Sequence, residues 1–270
     1  MVKLGIAAHS LGVGHQPEAL FEATARLGLT YLGMGIPDWQ QPANVDKVAR
    51  LRDRYGIELE TYWGDDFIGN GANQPTDGFR HFVEAVCKPL GITVVGVCAN
   101  SQRFRKDPPL ARQLDQLVAA WANLAPVAQE LGVTLAVENH ADYRGHEVVT
   151  ILERINSPAV RARLDTANAY AVIEQPEAAA EAMAPYVVAT HIKDVIVWPQ
   201  HPTSLLNLVG CGLGEGDVDL VTCVRLLAER APDPATLALT LEIEPPRGTD
   251  LARMTTESVA YARQHFAPYL

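Results

Sequence analysis

The sequence predicts an α/β protein, a single-domain (β/α)8 TIM barrel with a long loop after its seventh strand. Three observations predict it. Short apolar runs rich in Val, Ile, Leu and Thr alternate with longer Ala/Leu/Glu/Arg segments along the whole chain. Eight such units divide 270 residues into about 34 each, enough for one strand, one helix and two short loops. The first run ends in Ala8-His9-Ser10-Leu11-Gly12-Val13-Gly14. That is not the glycine-rich phosphate loop carried by many doubly wound open sheets, the competing α/β architecture.

In chain order, strands are expected at Lys3–Ala8, Tyr31–Ile36, Glu58–Tyr62, Thr93–Cys98, Thr134–Asn139, Ala162–Thr166, Val187–Lys193 and Leu237–Glu244. Helices are expected between them, at Pro17–Leu27, Val45–Tyr55, Pro75–Leu90, Pro109–Leu131, Val148–Ile155, Pro176–Met183 and Val218–Arg230. Gly28, Gly56, Gly91 and Gly132 follow the first four helices, where a left-handed cap is needed. One connection is long. From Val195 to Gly216 it carries Trp198, Pro199 and Pro202 and the glycines at 210, 212, 214 and 216. A loop of that length inside a compact domain is usually functional, and it reads as a lid over the barrel top.

Composition narrows the function classes. Hydrophobic residues make up 48% and charged residues 20%, which excludes a disordered chain. The formal net charge of −10 and a pI near 5.2 speak against a basic nucleic-acid surface. Cys87, Cys98, Cys211 and Cys223 form no CxxC pair and fit neither a zinc knuckle nor a dense disulfide framework. The N-terminus lacks a signal-peptide pattern, and no run of about 18 apolar residues is present. The expectation is one domain over residues 1–270, in the cytoplasm, with no membrane and no nucleic-acid partner.

In such a barrel, chemistry sits at the C-terminal ends of the strands. Four consecutive strands end in groups that resist burial: Glu138-Asn139-His140, Asp165-Thr166-Ala167-Asn168, His191-Ile192-Lys193-Asp194 and Glu242-Ile243-Glu244. Singly, each has a structural explanation. Glu138 can pair with an arginine, Asp165 can cap a turn, His191 can be a core histidine, and Glu242 or Glu244 can be a surface carboxylate. Together, three carboxylates at one mouth repel strongly unless a divalent cation sits among them. Three oxygen donors and an imidazole suit Mn²⁺, Mg²⁺, Co²⁺ or Zn²⁺, with Mn²⁺ or Mg²⁺ favoured by the carboxylate majority.

These segments, with Gly214-Glu-Gly216-Asp217-Val, resemble the xylose isomerase-like barrel superfamily over roughly residues 1–265. More narrowly they resemble its sugar phosphate isomerase/epimerase group, which includes the ketose 3-epimerases. The resemblance implies one divalent metal held by Glu138, Asp165, His191 and Glu242, with Glu244 as the alternative ligand on the last strand. It implies that Glu138 and Glu242 are catalytic and exchange the substrate proton. The expected activity is a metal-dependent sugar isomerase or epimerase. Glu242 would take a proton next to a carbonyl, a metal-stabilised enediolate would form, and Glu138 would return the proton on the other face. Candidate substrate-binding residues are His140, Asn168, Lys193, His9 and Trp63. Arg247 can meet an anionic group or pair with Glu244, and Asp217 and Asp219 can cap the following helix. The partner is a small carbohydrate, and a homodimer is compatible with the resemblance.

The chain departs from the epimerases at three sugar-contacting positions. Asn168 stands where they carry His, Val197 where they carry Arg, and Arg144 where they carry Glu. The main alternative is therefore a lyase or dehydratase acting on a keto-sugar, keto-cyclitol or dehydroshikimate-like acid. Abasic-site endonucleases share the barrel, but they need more histidines and a basic face. A non-catalytic ligand-binding barrel predicts no metal requirement.

Overall fold

The computed structural model describes residues 2–64, 67, 76–99, 103–104, 106–197 and 207–270. Its sheet has eight parallel strands: β1 (Lys3–Ala7), β2 (Tyr31–Gly33), β3 (Glu58–Tyr62), β4 (Val94–Val97), β5 (Thr134–Glu138), β6 (Val160–Asp165), β7 (Val187–His191) and β10 (Ala238–Leu241). They pair in chain order, and β10 pairs back onto β1 through Lys3↔Ala238 to Ile6↔Leu241. A bridge between Ile192 and Leu241 joins β7 to β10, so the sheet closes on itself as the expected TIM barrel.

The helices alternate with the strands: α1 (Pro17–Arg26), α2 (Pro42–Tyr55), α3 (Thr76–Phe82), α4 (Leu110–Leu131), α5 (Gly145–Ile155), α6 (Asn168–Ala171), α7 (Pro176–Met183), α8 (Leu220–Arg230) and α9 (Leu251–His265). Proline at the first turn of α1, α2 and α7 costs no helical hydrogen bond, because that N–H has no partner there. Gly56 and Gly132 end α2 and α4 at φ 63° and 72°, the left-handed geometry that a side chain disfavours. Asp219 and Asp250 cap α8 and α9, accepting from the backbone N–H of Thr222 and Arg253.

The core fills the barrel and the layer between strands and helices. Leu32, Leu135, Leu164, Leu239 and Leu241 on the strands are fully buried, as are Phe21, Trp121 and Ile151 on the helices. Charged side chains at 0% exposure lie inside it too, Glu60 and Arg163 in the barrel interior among them.

The expected elements are present, with four differences. Several strands are one to four residues shorter than their apolar runs, β10 most of all and β2 next, because the ladder gives way to loops before the apolar residues end. The helix from Thr76 passes through a π-turn at Val83–Cys87 before ending at Lys88–Leu90. α9 follows β10 and packs Val259 and Ala262 into the core; the sequence reading had not singled it out. The connection after β7 is not structureless at its base. Val195–Val197 (β8) and Leu208–Gly210 (β9) pair as an antiparallel hairpin. Trp198, Pro199 and Pro202, on which the lid reading drew, lie outside the described residues.

Candidate metal centre

Parallel register places the site. Glu138, Asp165 and His191 are the last residues of β5, β6 and β7, and Glu242 follows the last residue of β10. Asp165 lies opposite His191 across the ladder. The ladder continues past the strand ends, with Thr166 N–H donating to His191 O and Glu242 N–H to Ile192 O. Four backbones are thus fixed before any side-chain interaction is made. The carboxamide of Asn139 adds a brace, donating to Asp165 O at 2.9 Å and accepting from Asp165 N–H at 2.8 Å.

The side chains converge. Glu138, Asp165, His191 and Glu242 are 6%, 0%, 5% and 6% exposed, although three are carboxylates. Single donor atoms of Glu138, Asp165 and His191 all lie within 4.8 Å of one another, a spacing that can hold a metal ion. Glu242 joins through His191, whose Nδ1 is 3.4 Å from Glu138 Oε1 and 3.6 Å from Glu242 Oε1. Asp165 uses Oδ1 to accept from the backbone N–H groups of Ala167 and Asn168, the capping role its sequence position allowed. Its buried Oδ2 makes no hydrogen bond of good geometry but meets the Lys193 ammonium at 3.3 Å, and the buried His191 Nδ1 makes none while standing between the two carboxylate oxygens. Such atoms are costly to bury unless something else satisfies them, and a carboxylate oxygen and an imidazole nitrogen are both metal donors. The donor set therefore fits a divalent cation.

Charge follows the same geometry. Burial pulls the His191 imidazolium down, but the Glu138 and Glu242 carboxylates outweigh it and raise His191 to about 9. Burial likewise opposes the ionisation of Glu138, yet His191 and Arg163 bring it down to about 2. Asp165 goes the other way: its burial raises it to about 6 despite the neighbouring Lys193. Glu242 is held well below the carboxylate range; burial opposes this, and His191, His9 and Lys193 produce it.

Lys193 Nζ touches three carboxylates: Glu242 Oε2 at 2.5 Å, Glu244 Oε2 at 2.8 Å and Asp165 Oδ2 at 3.3 Å. His9 Nε2 lies 3.2 Å from Glu242 and 3.5 Å from Glu244. Asn168 Nδ2 donates to Glu138 Oε1 at 3.4 Å. Three of the five expected substrate contacts, His9, Asn168 and Lys193, therefore stand beside the candidate ligands Glu138, Asp165 and Glu242. The other two do not join them in the same way. His140 is exposed and acts on Glu138 only through its charge. Trp63 packs on Phe82 at 5.1 Å and on Phe79 at 5.8 Å.

Glu244 is half exposed and its ion contacts are with Lys193 and His9, which corrects the pairing expected with Arg247. Asp217 does not cap α8; its Oδ2 accepts from Val197 N–H and steadies β8.

The sequence reading missed the charged layer beneath the ligands. Arg163 Nη2 is 3.0 Å from Glu60 Oε2, and Arg163 Nη1 is 3.9 Å from Glu138 Oε2. A signal was present. Alternation puts Arg163 on the same face of β6 as Asp165, and Glu60 on the same face of β3 as Tyr62. A separate cavity of about 780 Å³ opens at the N-terminal end of the barrel, far from this chemistry. Charges on its rim are already paired, Lys3 with Glu58 and Arg52 with Asp53, each at 2.7 Å.

Known proteins share this chain's sequence pattern and its fold. Residues 21–265 match the family model described as xylose isomerase-like TIM barrel. A 3-oxo-isoapionate decarboxylase from Pectobacterium atrosepticum is 30% identical over 178 residues, 66% of this chain and 59% of that protein. An uncharacterized protein, YihM, from Escherichia coli K12 is 29% identical over 151 residues, 54% of this chain and 46% of that protein. The matched stretch thus spans about half the length of these curated relatives. Among solved structures, a D-psicose 3-epimerase crystallised in the presence of D-fructose superposes with a TM-score of 0.75 at 17% identity, covering 98% of this chain and 99% of that one. A 3-keto-D-glucoside 4-epimerase from E. coli gives 0.74 at 15% identity, covering 98% and 100%. At such identities the structural likeness speaks for the fold.

Proposed function

The chain belongs to the xylose isomerase-like TIM barrel family, and on that premise we propose that it is a divalent-metal-dependent isomerase or epimerase of a sugar or sugar derivative. One observation carries the reading. Four nine-tenths-buried groups converge at the C-terminal mouth, with single donor atoms of Glu138, Asp165 and His191 within 4.8 Å of one another and His191 Nδ1 held between carboxylate oxygens.

Glu138, Asp165, His191 and Glu242 would hold the ion, Mn²⁺ or Mg²⁺ by the chemistry of the donor set. When bound, such an ion supplies Lewis-acid stabilisation of negative charge developing on a carbonyl oxygen. The chain's own residues do the rest. Glu242, kept ionised by His191, His9 and Lys193, takes the proton from the carbon beside the carbonyl. Glu138 reaches the same centre from β5 and, after taking up a proton from solvent, would deliver it to the carbon from the other side, while Glu242 loses the abstracted proton to solvent. Asn168, hydrogen-bonded to Glu138, and His9, beside Glu242, line the position where sugar hydroxyls would lie.

A second reading is favoured by Lys193. An ammonium at the proton-transfer centre suits a substrate bearing a carboxylate, which would leave as carbon dioxide with its bonding electron pair passing to the carbon beside the carbonyl. The 30% identical relative is named a decarboxylase. That branch shares the first half of the chemistry, negative charge held next to a carbonyl, and differs in what leaves.

The test is incubation of chelator-stripped protein with Mn²⁺ and a panel of ketoses and keto-acid sugars in D₂O. Solvent deuterium at the α-carbon with epimer formation is expected, and Glu242→Gln should lower the rate by about 10²–10⁴-fold. Carbon dioxide release or a new enone absorbance would move the assignment to the lyase branch. Turnover insensitive to EDTA, or full activity in the Glu242→Gln protein, would overturn both.

A further inference from the structure

Tyr62 ends β3 on the same face as Glu60; Tyr62 meets His191 and Arg163 in the barrel interior, and Glu60 meets Arg163. Tyr62 Oη lies 3.3 Å from His191 Nε2 and donates to Glu60 Oε1 at 3.5 Å. Glu60 is itself fixed from several sides. Arg163 Nη2 is 3.0 Å from its Oε2, Tyr31 Oη donates to Oε2 at 3.3 Å, and Thr240 Oγ1 donates to Oε1 at 3.5 Å. The Arg163 guanidinium stacks over the Tyr62 ring at 4.7 Å. Two glycines make room for this layer. A Cβ on Gly33 would stand 2.7 Å from Tyr62 Oη and 2.8 Å from Glu60 Oε1, and one on Gly96 would collide with the Arg163 guanidinium.

The proton count sets the direction of the chain. A tyrosine hydroxyl has one proton, and a carboxylate can only accept. With that proton directed to Glu60, the Tyr62 oxygen is left as an acceptor facing His191 Nε2 at 3.3 Å; Arg163 Nη1, a donor only, stands 3.5 Å from the same nitrogen and favours the opposite tautomer, so the shorter Tyr62 contact has to set the direction. A neutral imidazole that donates from Nε2 must keep its lone pair on Nδ1. Nδ1 is the nitrogen lying between Glu138 Oε1 and Glu242 Oε1 with no hydrogen-bond partner.

We infer that Tyr62 is a positioning residue of the metal centre: held by the Glu60–Arg163 pair, it accepts the His191 Nε2 proton and so commits Nδ1 to the ion. This rests on the metal-centre reading above. It extends that reading to the part-buried Tyr62 and the buried Glu60 and Arg163, none of them among the four ligands. Partners of this kind orient metal-bound histidines and typically shift metal affinity by 10–100-fold.

Zn²⁺, which is diamagnetic, serves as the probe. Calorimetric titration of chelator-stripped protein should show Tyr62→Phe binding Zn²⁺ about 10–100-fold more weakly than wild type. Binding within twofold of wild type by a folded Tyr62→Phe protein would overturn the inference. A second readout does not depend on the variant. Long-range ¹H–¹⁵N spectra of Zn²⁺-loaded wild-type protein, with His191 assigned by its loss in His191→Gln, should show the proton on Nε2 and the metal on Nδ1. The opposite tautomer would overturn the positioning role while leaving the metal centre intact. A wild-type protein that takes up no Zn²⁺ would instead overturn the metal reading and this role with it.

Discussion

At the scale of single residues, the protonation of His191 ties metal binding to pH. In the metal-free protein, burial works against the imidazolium, but Glu138 and Glu242 raise its pKa to about 9, above the ordinary value of about 6.5. A raised histidine stabilises the fold fully below pH 6.5, and the contribution disappears as the pH climbs through 9. For this fully enclosed group it is of the order of 3 kcal/mol. The neighbouring carboxyls titrate below that window, Glu138 at about 2 and Asp165 at about 6. A divalent ion on Nδ1 needs the neutral ring, so it competes with the proton. The melting temperature of metal-free protein should therefore fall from pH 6.5 to 9, and the rise produced by saturating Mn²⁺ should grow over the same range. Differential scanning calorimetry at several pH values checks this; a Mn²⁺-induced rise that is flat with pH would contradict it. The convergence of Glu138, Asp165, His191 and Glu242 was legible in the sequence, because an acid or histidine at the end of an apolar strand is unfavourable without a partner. Tyr62, Glu60 and Arg163 were not recognised. Their partners come from strands far apart in the chain, and only closure of the barrel brings β3 and β6 to one interior layer.

Among the elements, the hairpin after β7 is the one with a defined anchor. The Asp194 carboxylate accepts backbone N–H groups from Val195, Gly214, Gly216 and Val218, at 2.9–3.2 Å. Gly210 at the end of β9 lies so close to the Glu244 backbone oxygen that a Cβ there would collide with it. The hairpin thus rests on the strand end that carries Glu242 and Glu244. Replacing Asp194 with Ala removes the acceptor for four N–H groups, of which hydrogen bonds to a charged group are worth about 1.5–3 kcal/mol each before relaxation and water recover part of it. We expect Asp194→Ala to lower the stability by about 2–4 kcal/mol and to raise KM more than it lowers kcat, measured by urea unfolding and steady-state kinetics. A variant with wild-type stability and KM would contradict the anchoring role. Strands and most helices were legible from periodicity, and the glycine stops located helix ends well. The hairpin was not, since β8 and β9 are three residues each and are separated by a Trp/Pro-containing stretch that reads as loop. The π-turn in Val83–Cys87 leaves no mark on the 3.6-residue pattern either.

For the whole molecule, closure of the barrel sets the function. Eight parallel strands point their C-terminal ends the same way, so residues dispersed from Glu138 to Glu242 share one mouth. That convergence explains why a chain with a net charge of −10 concentrates buried carboxylates there rather than on its surface alone. Among the described residues no helix is long and apolar enough to cross a membrane. The barrel was readable because alternation and unit length depend only on local sequence. The identity of a substrate was not, because it depends on loop contacts that no periodicity encodes. Anomalous diffraction at the manganese edge from crystals soaked in Mn²⁺ tests the central claim most directly. One strong peak within about 2.0–2.4 Å of Asp165 Oδ2 and His191 Nδ1, with Glu138 and Glu242 completing the set, is the predicted result. A peak elsewhere, or none at this mouth, would contradict it.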